Sequence, residues 1–131
     1  VEPAQTWNSH GTGMLSLVVG AQLGVAKKCT PRPFTYDYRD GKQWVIVALD
    51  EIYTDWVSTV ASGTLDPTLN PFAVLSMSFG HYANILGPDA FETTFSRMLK
   101  RLTALNVLSV VSAGNEGSSV GQLYLLAAVT H

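Results

Sequence analysis

Apolar and polar residues alternate along the chain with two different periods. From His10 to Gly20, Met14, Leu15, Val18 and Val19 fall on one helical face, and Gly20 and Gly24 then punctuate the chain. Pro31 and Pro33 oppose helix, and Phe34 to Tyr38 alternates in the manner of a short strand. A stronger helix follows, in which Val45, Leu49, Ile52, Trp56 and Val60 keep to a single stripe and Gly63 is the expected stop. Pro67 and Pro71 bound a loop.

Residues 72–77 form a short apolar run of the kind buried in parallel sheets, and Ser78 to Pro88 reads as loop. Asp89, with Glu92 three residues later, predicts a capping box. Phe91, Phe95, Met98 or Leu99, Leu102 and Leu105 then mark one face of a helix over 89–105. Arg97, Lys100 and Arg101 lie in its later half, where cations favour the helix dipole. Residues 107–112 and 123–129 are two further strand candidates. Helices alternating with apolar strands predict an α/β layer structure whose three strands run parallel, with the 89–105 helix crossing over between the first two. Ligands of such sheets sit beyond the carboxyl ends of the strands. Two polar, glycine-bearing segments fall there, Ser78-Phe79-Gly80 and Ala113-Gly114-Asn115-Glu116.

Composition narrows the function classes. In 131 residues, 47% are hydrophobic and 14% charged, which suits one compact domain with a filled core and argues against disorder. A net charge of −2 gives no electrostatic footprint for nucleic acid, and no run reaches the roughly 18 apolar residues of a membrane span. The single cysteine, Cys29, excludes an internal disulfide and is expected to be a small buried residue. No basic segment followed by an apolar one opens the chain, and Val1 has no Met before it, as expected of a processed or partial chain.

Three segments carry candidate chemistry. The first is Ser9-His10-Gly11-Thr12-Gly13. A histidine at the start of a helix lies at the positive end of the dipole, which favours the uncharged, proton-accepting ring, and Gly11 leaves room for a ligand to approach. The bland alternative is a satisfied turn histidine. The second is Val111-Ser112-Ala113-Gly114-Asn115-Glu116-Gly117. An asparagine directly after a buried strand can aim its amide donors at a ligand oxygen, as an oxyanion hole requires, or can simply close a turn. The third is Leu75-Ser76-Met77-Ser78-Phe79-Gly80, whose polar end can offer backbone groups to an extended peptide or can merely run into a loop.

In this order, and with Gly24-Val25-Ala26-Lys27 after the histidine helix, the segments resemble the subtilisin-like serine proteases, the peptidase S8 family. The resemblance implies that residues 1–131 are the central part of a catalytic domain, a three-layer α/β fold with a mostly parallel sheet. It implies a serine endopeptidase acting on peptide or protein substrates through an acyl-enzyme, extracellular or vacuolar, without cofactor. His10 matches the general base and Asn115 the oxyanion asparagine. Ser78, Phe79 and Gly80 match the segment that pairs with the substrate backbone, and Ala113 and Gly114 the opposite wall of the first specificity pocket. It also requires His10 and Asn115 to face one cleft.

Two departures count against activity of this chain alone. No Asp precedes His10, and no Gly-Thr-Ser-Met-Ala segment follows Asn115, where the family order Asp, His, Ser would place the remaining triad members. Ser118 and Ser119 follow the asparagine too closely to serve as nucleophile. A smaller departure is Gly13-Met14-Leu15, where many relatives have His-Val-Ala. One rival is therefore a catalytically inactive subtilase-like domain that binds peptides or protein partners without cutting them. Another is an unrelated α/β binding module with chance motifs. His81 and His131 have no partners at metal spacing and no calcium loop stands out, so no metal is expected. Asp50, Glu51 and Asp55 read as a solvated helix face, Glu116 as a turn residue, and Trp7, Trp44 and Trp56 as packing groups.

Overall fold

The computed structural model describes residues 7–35, 43–65, 71–80 and 89–115, with side chains from residue 10 onward. The chain divides into two compact units, Val1–Phe34 and Thr35–His131.

The first unit is built on helix α1, Trp7–Val19. It begins three residues earlier than the apolar period predicts, because Trp7 to Ser9 carry no period of their own. Met14, Val18 and Val19 are half-buried, whereas Leu15 and Leu17 are exposed. Past the helix the chain folds back on its own last turn. The amides of Gly20, Val25 and Ala26 donate to the carbonyls of Ser16, Leu17 and Val18 at 2.9, 3.2 and 2.8 Å. These bonds take up carbonyls that a helix end leaves without intrahelical partners. Gly24 is buried in the return, and a Cβ there would fall onto the backbone of Val19 and Gly20.

Two expectations fail in this region. Cys29 is exposed, not buried. It sits in a turn where its amide donates to the Ala26 carbonyl at 3.1 Å, beside the exposed Lys27 and Lys28, so no helix or strand carries it inward. Phe34 and Thr35 form no strand, and both are exposed. Pro31 and Pro33 precede them, and a strand cannot persist without a partner ladder. Residues 36–38 of that candidate lie outside the described residues.

The second unit contains α2 (Gln43–Ala61), β1 (Ala73–Met77), α3 (Ala90–Thr103) and β2 (Val107–Val111). The strands pair in parallel, Ala73 with Val107 through to Met77 with Val111, and α3 is the connection between them. The architecture is α/β around a parallel pair, as the alternation of elements predicts. The candidate strand at 123–129 lies outside the described residues.

Local signals account for the helix ends. Asp89 caps α3, accepting the amide of Glu92 on Oδ1 at 2.8 Å, while Glu92 Oε2 accepts the amide of Asp89 at 3.0 Å. Lys100 and Arg101 occupy the last turn. Asn106, at φ 61°, makes the left-handed step between α3 and β2 that asparagine tolerates. Gly63, at φ 65°, follows α2 as expected.

The core joins Val45, Leu49 and Trp56 of α2, Phe95, Met98, Leu99 and Leu102 of α3, and Met77 and Val107 of the strands. Full burial of such a side chain contributes about 1.5–3 kcal/mol, so Phe95, Leu49 and Leu102, the most deeply buried, anchor the unit. The Trp56 indole N–H donates to the Leu105 carbonyl at 2.9 Å, tying α2 to the turn before β2. Trp44, by contrast, is exposed, and the side chain of Trp7 lies outside the described residues. Asp50 and Glu51 are exposed and Asp55 is half-buried.

One feature of the sheet differs from expectation. Ala73, Leu75, Met77, Val107 and Val111 face the helices and pack in or against the core, but Val74, Leu108 and Val110 on the other face are exposed by 53%, 56% and 49%. The apolar runs predict burial on both faces, and α2 and α3 cover only one.

Candidate functional site

Two of the three candidate segments meet at one edge of the second unit. Because β1 and β2 are parallel and in register from end to end, the chain leaves both at the same edge. Ser78-Phe79-Gly80 continues from β1, and Ser112-Ala113-Gly114-Asn115 continues from β2. This is the carboxyl edge, where open α/β sheets place their ligands.

Hydrogen bonds carry the pairing past the strand ends. The amide of Ser112 donates to the Met77 carbonyl at 3.1 Å. One step further, the Ser112 hydroxyl donates to the Phe79 carbonyl at 3.0 Å, joining positions 33 residues apart. Phe79 is half-buried and packs against the core cluster, which anchors its segment from below. Ser78 is also half-buried, and Gly80 is exposed. On the β2 side, Gly114 has φ 94°, a conformation an L side chain rarely adopts, and it turns the chain out of the strand direction. Ala113 and Asn115 are exposed on either side of it, with Gly114 half-buried.

The arrangement suits recognition of an extended chain. One wall offers the backbone of residues 78–80, the other an exposed asparagine side chain on a glycine turn. An asparagine amide so placed can donate to an oxygen that gains charge.

The third segment belongs to the first unit. His10 occupies the first turn of α1 and is exposed, as are Gly11 and Thr12. Among the described residues, and apart from the helix's own neighbouring atoms, nothing lies within 4 Å of the position that a Cβ would take at Gly11 or Gly13. His81, Glu116, Ser118, Ser119 and His131 lie outside the described residues. Among the described residues no group of three or more His, Cys, Asp or Glu side chains comes together to hold a metal ion. No helix among them is long and apolar enough to cross a membrane.

Sequence reasoning identified Ser78, Phe79, Gly80, Ala113, Gly114 and Asn115 but passed over Ser112 as a functional position. Its signal was present, a hydroxyl residue directly after the apolar pair that ends β2. The bond to Phe79 depends on strand pairing and has no local signature. Compared with known proteins, the chain matches no family model, no curated protein and no solved structure.

Proposed function

We propose that the chain is the central part of a subtilisin-like serine endopeptidase domain, extracellular or vacuolar, that binds its substrate as an extended strand. The observation that carries the reading is the meeting of Ser78–Gly80 and Ala113–Asn115 at the carboxyl edge of adjacent parallel strands. In this reading β1 and β2 belong to a larger parallel sheet in a three-layer domain, and a second helical layer covers Val74, Leu108 and Val110. The apolar character of that open face supports it, since parallel sheets are covered on both sides.

The chemistry assigned to the chain's own residues is limited and specific. The peptide pairs with the backbone of residues 78–80, which presents its scissile carbonyl toward Asn115. The Asn115 side-chain amide donates to the carbonyl oxygen as it becomes an oxyanion. His10 accepts the proton of the attacking serine hydroxyl and returns it to the leaving amine; water then enters by the same route to release the acyl group. The serine and the aspartate that orients His10 come from other sequence, since neither family motif occurs here. That same absence favours a second reading, in which the domain keeps the cleft and binds peptides without cutting them.

Titration with a short extended peptide tests the peptide site common to both. Amide resonances of Ser78, Gly80 and Asn115 should shift together and saturably. A peptide that leaves them unmoved refutes the cleft. A fluorophosphonate probe should form no stoichiometric adduct with the isolated chain, because hydrolysis needs a nucleophile within reach of the base. Stoichiometric labelling of Ser78, Ser118 or Ser119 would overturn the fragment reading.

A further inference from the structure

We propose that Ser112 is a positioning residue that sets the register of the substrate-pairing wall, an inference that rests on the peptide cleft proposed above. Backbone groups along β1 alternate between its two edges. The amide of Ala73 bonds to Asn106, and the carbonyl of Met77 bonds to the amide of Ser112, so these odd positions turn toward β2. The hydroxyl of Ser112 extends the alternation two residues beyond the end of β1, to Phe79. With Phe79 held toward β2, the backbone groups of Ser78 and Gly80 are directed to the opposite edge, where an added strand pairs.

The side chain takes this role past the rung at Met77. Gly114 leaves strand geometry at φ 94°, so the β2 chain departs just past Ser112. A hydroxyl on the segment that leads into Asn115 therefore links the two walls past the strand ends. Ser112 thus couples the position of residues 78–80 to that of the oxyanion segment. Without it the link from β2 to the Phe79 carbonyl is lost, while the packing of Phe79 and the rung at Met77 remain.

The test compares peptide affinity in the whole chain for the natural protein and for S112A, S112T and S112V, read from the amide shifts of Ser78 and Gly80 during titration. S112T and S112V have the same shape and differ only in the hydroxyl, so the pair isolates the hydrogen bond from packing. S112T should bind as the natural protein does, and S112A and S112V about fivefold more weakly, the factor expected for one net hydrogen bond. Equal affinity in S112T and S112V overturns the role of Ser112 and leaves the cleft standing. Failure of the natural protein to bind overturns the cleft, and this inference with it. Loss of folded structure in both S112A and S112V, seen by circular dichroism, overturns the inference in a third way. The bond is then a requirement of the fold and not a positioning contact.

Discussion

Replacing Trp56 with Phe removes one long-range hydrogen bond from the second unit. The indole is buried, with 9% of its surface exposed, and its N–H reaches the Leu105 carbonyl at 2.9 Å across 49 positions. Phe keeps an aromatic ring in the site but removes the donor and part of the ring. A net hydrogen bond is worth about 0.5–1.5 kcal/mol, and leaving the partner carbonyl unpaired costs about 1–3 kcal/mol if it is fully buried. Leu105 is half-buried, so water can reach it in part and the cost falls toward the lower end. Lost ring area adds to this, giving about 2 kcal/mol in all. Trp44→Phe is the internal control, the same chemical change at a ring 39% exposed, with an expected cost within about 0.5 kcal/mol. Urea unfolding followed at the helix band of circular dichroism measures both. With a slope of about 1–1.5 kcal/mol/M, Trp56→Phe should lower the midpoint by about 1.5 M, while Trp44→Phe leaves it nearly in place. Equal midpoints for the two variants would refute the argument that Trp56 ties α2 to the turn before β2.

Asp89→Ala removes the cap of α3 and should cost about 1 kcal/mol in the same urea assay, whereas Glu92→Gln, which keeps an acceptor for the Asp89 amide, should cost less than half as much. Gly114→Ala places a Cβ at φ 94° and should destabilise by about 1–2 kcal/mol while also weakening peptide binding; a variant with unchanged affinity would show that the turn does not shape the wall. Leu108→Thr and Val110→Thr act on the open sheet face. Each should change stability by no more than about 0.5 kcal/mol, and together they should reduce binding of the dye ANS, which would stay constant if that face were already covered.

Much of this chain was legible residue by residue. The stripe from Val45 to Val60 and the Asp89–Glu92 box report short-range sterics and hydrogen bonds, which act within a few positions of one another, and α2 and α3 form where they indicate. Strand runs at 72–77 and 107–112 each hold a strand one residue shorter. The polar segments after them were visible as candidate site residues because composition changes abruptly at each strand end. At Phe34 and Thr35 the alternation is not accompanied by strand, and residues 36–38 of that candidate lie outside the described residues. Cys29 was misread because a residue type's average burial says nothing about a particular turn beside two lysines.

Elements whose cause lies within a turn or a pleat can therefore be read from the residues alone. The pairing of Ala73 with Val107, the bond from Trp56 to Leu105, the one covered face of the sheet and the link from Ser112 to Phe79 were decided only in the tertiary structure. The strand pairing and the two hydrogen bonds join groups from 30 to 50 positions apart. Their free energy appears only after the intervening chain has been closed into a loop, so it leaves no periodic mark on the residues that provide it.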